Sequence, residues 1–201
     1  MKRGEPAVQV KEYTVALAGN PNCGKTTLFN ALTGGNQRIG NWPGVTVEKK
    51  EGWLSGNRRI KVVDLPGIYS LGATSEDEKV ARDFLLSGEA DLVINIVDSC
   101  HLERNLYLTA NLLEMGVPVV LFMNMMDLLE KEGSIIKTEV LEESLGIPVL
   151  SGTAINKKSM SDGIVKIEGL LGKVHPSRHK PVYPNEVEDL LAKWEERAGG
   201  R

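Results

Sequence analysis

The run Gly19-Asn20-Pro21-Asn22-Cys23-Gly24-Lys25-Thr26 has the pattern G-x-x-x-x-G-K-[ST], a spacing suited to holding a phosphate chain. Its glycines let the backbone curl until successive N–H groups face one anion, and the positive end of a following helix reinforces them. Lys25 brings a point charge to the β- and γ-phosphates, and Thr26 offers its hydroxyl to Mg²⁺. Thr27 extends the same nucleotide-contacting stretch.

A phosphate loop alone does not choose a base or a reaction. Asp64-Leu65-Pro66-Gly67 ends an apolar segment; Asp64 can hold Mg²⁺ through water, and the Gly67 N–H can reach a γ-phosphate. Asn124-Met125-Met126-Asp127 follows the apolar run Val117–Met123. Asp127 can accept hydrogen bonds from the N1–H and exocyclic amine of guanine, a pattern adenine lacks, so the wrong base leaves polar groups unpaired. Thr153-Ala154, after Ile147–Leu150, places a backbone N–H for the guanine O6. Thr46 closes the turn-rich segment Gly40-Asn41-Trp42-Pro43-Gly44-Val45-Thr46. Its hydroxyl can complete a Mg²⁺ shell only when a γ-phosphate is present, which is how a switch senses hydrolysis.

These residues need a scaffold, and the hydrophobic pattern supplies one. Tyr13–Ala18, Ile60–Asp64, Asp91–Val97, Val117–Met123 and Ile147–Leu150 are nearly continuous apolar runs, as strands covered on both faces should be. Thr46–Leu54 is more polar and contains Gly52, which predicts an antiparallel edge strand. Ser75 and Glu78 form a capping-box pair before a helix over Lys79–Leu86. Further helices are predicted from Leu102 to Gly116, over Thr138–Leu145, and from about Ser161 with Ile164, Ile167 and Leu171 on one face. Strands alternating with helices specify right-handed βαβ units. The expected fold is α/β: a six-stranded, mostly parallel sheet with one antiparallel edge strand and helices on both faces, of the P-loop NTPase kind.

The domain is expected to span residues 11–172. Residues 173–184, with Pro176, Pro181 and Pro184, read as a linker, and 185–201 as a short helical segment. Asn185 and Glu188 resemble a second capping box, and Val187, Leu190, Leu191 and Trp194 form a stripe that must dock on this domain or on a partner. A second copy of the chain is one candidate for that contact.

Composition narrows the function classes. With 41% apolar and 25% charged residues the 201-residue chain is that of an ordinary soluble domain, and no apolar run approaches a membrane span. Only Cys23 and Cys100 occur, without zinc-ligand spacing, which with the charged N-terminus predicts a reducing, cytoplasmic setting. A net charge of −3 carries no footprint for nucleic acid. His175 and His179 lie beside Pro176 and Ser177 in a predicted loop without acidic partners, and read as surface residues rather than metal ligands.

Taken together, Gly19–Thr26, Thr46, Asp64–Gly67, Asn124–Asp127 and Thr153-Ala154 resemble the five motifs of a translation-factor-class small GTPase domain. More narrowly, GNPNCGKTTLFNALTG at 19–34, GNWPGVTVEKKEG at 40–52, DLPGIYSL at 64–71 and ERNLYLT at 103–109 are similar to the cytoplasmic G domain of the bacterial ferrous-iron transporters, the FeoB family. The resemblance covers roughly residues 11–172. It implies a GTPase, loaded with GTP or GDP and Mg²⁺, that regulates Fe²⁺ uptake from the cytoplasmic face of the membrane through a membrane region outside this chain. It also implies K⁺ beside the phosphates, held by Asn22 and by backbone carbonyls of Gly40 and Trp42. Such a cation would replace the usual glutamine after D-x-x-G, since that position is Ile68. It would do the work of an arginine finger, worth about 10³–10⁵-fold in rate. Met125 stands where such domains often carry lysine, and Thr153 where many carry serine.

Three other readings remain open from the residues: a nucleotide-gated binding module with incidental hydrolysis, a soluble ribosome- or tRNA-related GTPase, and an ATPase. The second lacks a basic stripe for RNA, and Asp127 argues against the third.

Overall fold

The computed structural model describes residues 11–152, 157–179 and 182–197. Seven strands form one sheet in the order β2-β3-β4-β1-β5-β6-β7: β1 (Tyr13–Gly19), β2 (Gln37–Asn41), β3 (Glu48–Leu54), β4 (Asn57–Asp64), β5 (Leu92–Asp98), β6 (Val119–Asn124) and β7 (Val149–Ser151). β4, β1, β5, β6 and β7 pair in parallel, whereas β2–β3 and β3–β4 are antiparallel.

The expected sheet of six strands is therefore one strand short. The polar segment predicted as the edge is β3, starting at Glu48 rather than Thr46, and β2 lies outside it. Every residue of β2 is exposed. No apolar periodicity marks it in the sequence, because backbone pairing such as Gly40 with Lys49 and Asn41 with Glu48 defines it. Gly40 thus lies in a strand rather than in a free loop.

Alternation along the central strands feeds two cores. Val15 and Leu17 of β1, with Leu92, Ile94 and Ile96 of β5, pack with Leu28, Phe29 and Leu32 of α1 (Lys25–Thr33) and Ile167 of α6 (Lys157–Leu170). Ala16, Ala18, Val93, Val97 and Leu121 face the other way. They pack with Ala81 and Phe84 of α2 (Glu76–Leu86) and Leu108 and Leu112 of α3 (Leu102–Glu114). Asn95 interrupts this apolar face, and its amide donates to the Thr109 hydroxyl of α3 at 2.7 Å. The two remaining short helices of this region are α4 (Met126–Lys131) and α5 (Thr138–Leu145). No helix among the described residues is long and apolar enough to cross a membrane.

The Ser75 hydroxyl accepts from the Glu78 N–H at 3.1 Å, as the capping box predicts. The Glu78 carboxylate reaches further back, accepting from the Thr74 hydroxyl at 2.7 Å and the Ser70 hydroxyl at 2.8 Å. These bonds hold its carboxyl below the usual carboxylate range and lace the segment after β4 to α2.

The segment after α6 is less loose than its prolines suggest. The Ser177 hydroxyl donates to the Leu145 carbonyl at 2.8 Å, and His179 Nδ1 lies 3.2 Å from the Ser144 carbonyl. Both carbonyls belong to the last turn of α5, whose end would otherwise be unsatisfied. Beyond it, α7 (Asn185–Arg197) forms where its apolar stripe predicts. Val187, Leu190, Leu191 and Trp194 are nevertheless all exposed, with Trp194 at 70%, so the stripe does not dock on this domain.

Candidate functional site

Three parallel strands carry the site at their C-terminal ends, where an open α/β sheet presents its crevice. β1 runs into the phosphate loop, β4 into Asp64–Gly67, and β6 into Asn124–Asp127. The loop's glycines are used where a side chain has no room. Gly24 has φ of +90°, and a Cβ there would lie 2.2 Å from Asn124 Nδ2. A Cβ on Gly19 would lie 2.7 Å from both the Ile96 carbonyl and Cys23 Sγ. Asn22 also adopts a left-handed conformation, at φ +67°. No side chain caps α1 at Gly24, so the first N–H groups of the helix have no side-chain cap.

Lys25, Thr26, Asp64, Leu65, Pro66 and Gly67 line one cavity of about 240 Å³ at the N-terminus of α1. The Lys25 ammonium donates to Asp64 and to the Leu65 carbonyl, and both side chains of the ion pair are about nine-tenths buried. The D-x-x-G turn sits directly on the phosphate loop: Ile68 N–H donates to the Gly19 carbonyl at 3.2 Å, and a Gly67 Cβ would touch Pro21. Asp64 with the Thr26 hydroxyl offers the hard oxygen donors that Mg²⁺ takes.

Thr46 is not among the residues lining this cavity; its neighbours Val47 and Glu48 are, with Lys50 and Asp77. Asp77 belongs to no motif, and Glu48 and Lys50 lie in the 40–52 segment outside the nucleotide-binding motifs, which is why the sequence did not disclose them. The Glu48 carboxylate, 2.8 Å from Lys50 Nζ, holds that amine above its usual range. The expected K⁺ ligands Asn22, Gly40 and Trp42 do not line this cavity either. Asn22 is exposed, and the Trp42 carbonyl accepts from Val45 N–H at 3.3 Å.

On the base side, Asn124 Nδ2 donates to the Cys23 carbonyl at 2.9 Å, tying the third motif to the first. Met125 takes φ of +61° and turns the chain into α4, placing Asp127 in that helix's first turn. Thr153 and Ala154 lie outside the described residues.

Cys23 faces the core rather than the phosphates. Burial pushes its thiol up to about 11, although the neighbouring Lys25 pulls the other way. At pH 8 about one part in a thousand is thiolate, the form that reacts. Iodoacetamide labelling of the folded protein at pH 8, followed by peptide mass mapping, is therefore expected to leave Cys23 at least about 100-fold slower than an ordinary thiol. Labelling at the rate of free cysteine would contradict this burial.

Comparison with known proteins agrees with the motifs. Residues 13–167 match the family described as Ferrous iron transport protein B. The Fe(2+) transporter FeoB of Legionella pneumophila (strain Lens) is 58% identical over 139 residues, 67% of this chain and 18% of that protein. The Fe(2+) transporter FeoB of Escherichia coli (strain K12) is 53% identical over 146 residues, 70% of this chain and 19% of that protein. The chain thus spans less than a fifth of the curated relatives it matches. A crystal structure of an S. thermophilus NFeoB mutant bound to mGDP superposes with a TM-score of 0.87 at 44% identity, covering 94% of this chain and 73% of that one. With the family match over 155 of 201 residues and the phosphate-loop geometry in agreement, the chain belongs to the FeoB family, and residues 13–167 are its N-terminal G domain.

Proposed function

We propose that this domain binds GTP with Mg²⁺, hydrolyses it to GDP and phosphate with K⁺ stimulation, and so acts as a switch on ferrous iron uptake. The observation that carries the reading is the convergence of Lys25, Thr26, Asp64 and Gly67 on one cavity at an uncapped helix N-terminus. The mGDP bound to the S. thermophilus relative supports guanine as the base. The membrane region through which the switch would act lies outside this chain, a reading supported by the much longer relatives, and the domain would work on the cytoplasmic face.

In this reading the phosphate loop, residues 19–27, wraps the β-phosphate with backbone N–H groups. Lys25 moves from Asp64 to the phosphates, and the Gly67 N–H turns to the γ-phosphate. Thr26, Asp64 and, in the GTP state, Thr46 hold Mg²⁺, which supplies Lewis-acid neutralisation of phosphate charge. Gly44 and Val45 follow Thr46 toward the nucleotide. Asp127 reads guanine, with Asn124 and Met125 setting its loop and Thr153-Ala154 meeting O6. K⁺ would be held by the neutral oxygens of Asn22, Gly40 and Trp42, and would supply positive charge beside the phosphates. Neutral carboxamide and carbonyl oxygens suit such a weakly hydrated cation.

Ile68 explains why a cation is needed. It is 3% exposed and packed in the core, so the side chain after D-x-x-G orients no water. The same observation favours a second reading, a nucleotide-gated binding module with incidental hydrolysis. The exposed stripe on α7 would then serve a partner, either the membrane region or a second copy of this chain.

Turnover of GTP and ATP by the purified chain, in KCl and in NaCl, tests these assignments together. GTP hydrolysis is expected to be faster in KCl, with the stimulation lost in Asn22→Ala. Equal rates in both salts would remove K⁺ from the mechanism, and equal turnover of ATP would remove guanine selection.

A further inference from the structure

Between Thr33 and Leu54 one residue is buried, and it is Trp42. Asn41, Pro43, Gly44 and Thr46 around it are exposed, and Val45 and Val47 are half-buried. Residues 42–47, between the paired strands β2 and β3, therefore have one large aromatic side chain as their buried anchor, beside the half-buried Val45 and Val47. The Trp42 ring stands edge-on to Phe84 of α2, with centroids 5.3 Å apart and planes at 67°. Lys49 Nζ lies 4.9 Å from the indole centroid. Ile68 and Leu71, from the segment after β4, belong to the same apolar cluster.

The backbone of Trp42 frames the turn that holds Thr46. Its N–H donates to the Val47 carbonyl at 2.9 Å, and its carbonyl accepts from Val45 N–H at 3.3 Å. These two bonds tie the Thr46 turn to the Trp42 backbone, so where the indole docks bears on where the turn sits. Among the described residues nothing accepts a hydrogen bond from the buried indole Nε1–H. Leaving a buried donor unmade costs free energy that the apolar contact must offset. Beside the ring lies a cavity of about 480 Å³ bounded by Trp42, Pro43, Val45, Lys49, Val80 and Phe84, so the indole also has room to move.

We propose that the Trp42 side chain is a positioning residue that couples the Thr46 turn to α2: docked edge-on to Phe84 it sets Thr46 and its own carbonyl for the reaction, and undocked it releases both. This role rests on the GTPase reading above, and it goes beyond the Trp42 carbonyl as a cation ligand by giving the indole its own task. Two positions of one side chain would give the turn two states that bound nucleotide can bias.

The test uses the whole chain with Trp53 and Trp194 replaced by phenylalanine, leaving Trp42 as the single indole of three. Acrylamide quenching of its fluorescence is compared with GDP and with a non-hydrolysable GTP analogue. Different quenching in the two states is expected. Phe84→Ala is expected to raise quenching and to lower kcat by about ten- to a hundredfold, the scale of a misplaced reacting group, with KM for GTP within about twofold. Phe84→Leu should restore most of the rate. Lys49→Met, which leaves the core intact, should shift quenching and kcat in the same direction if Phe84→Ala does not fold. Identical quenching in both nucleotide states overturns the proposal, as does a kcat loss matched by an equal loss of GDP affinity. If the parent protein hydrolyses no GTP, the GTPase reading falls alone, because the quenching comparison needs only bound nucleotide.

Discussion

Gly24→Ala is expected to destabilise the domain and to weaken GDP binding by about ten- to 150-fold, the worth of one hydrogen bond to a charged group at about 1.5–3 kcal/mol. A non-glycine residue in the left-handed region costs about 1–2 kcal/mol, and at Gly24 φ is +90°. The added Cβ would also fall 2.2 Å from Asn124 Nδ2, forcing that amide off the Cys23 carbonyl. Leaving those buried groups unpaired costs about 1–3 kcal/mol more. Together these costs come to about 2–5 kcal/mol of folded-state stability, and the affinity is lost because the displacement falls on the loop that would hold the phosphate. Gly35→Ala is the control, since Gly35 has φ of +75° but nothing within 4 Å of its would-be Cβ. It should lose stability and no GDP affinity. Calorimetric titration with GDP decides it, and a Gly24→Ala affinity within threefold of the parent would show that the loop does not grip phosphate as argued.

Asp127→Ala is expected to erase the preference for GDP over ADP, a loss of about 10²–10⁴-fold, the scale on which a site built around polar matching rejects the wrong partner. In the proposed role the carboxylate depends on a fixed loop. Asn124 pins that loop to the phosphate loop, and Met125 at φ +61° turns the chain so that Asp127 falls in the first turn of α4. Asp127→Asn separates base reading from general damage. A carboxamide N–H can donate to the oxygen that xanthine carries where guanine has its amine, so this variant should prefer XDP to GDP. Competition of GDP, ADP and XDP against a fluorescent GDP measures both, and an Asp127→Ala protein that still prefers GDP would place base selection elsewhere.

What the sequence made legible follows from where its signals are strong. β1, β5 and β6 are buried on both faces and read as unbroken apolar runs, and the D-x-x-G and phosphate-loop spacings are set by chemistry rather than by packing. β2 was invisible because Gln37–Asn41 is wholly exposed and owes its existence to pairing with β3. Helix α6 begins at Lys157 rather than Ser161, since its polar first turn carries no periodicity. The family resemblance gives Trp42 a role through its carbonyl only, and nothing local announces that Phe84, far along the chain, completes the packing of its ring. Glu48, Lys50 and Asp77 join the phosphate cavity for the same reason, by tertiary approach alone. Ser177 and His179 gripping the end of α5 is likewise a contact between distant segments that proline content alone could not suggest.

If a magnesium phosphate loads this site as proposed, the pairing of Lys25 with Asp64 would make the loading a salt metathesis. The resident lysine–carboxylate pair would give way to lysine beside phosphate and Mg²⁺ beside the carboxylate. Each ion would trade one counter-ion for another, so neither buried group would face a low dielectric alone. Stripping one partner from such a buried pair costs about 3–5 kcal/mol, and an exchange of partners avoids that cost on the way in and on the way out.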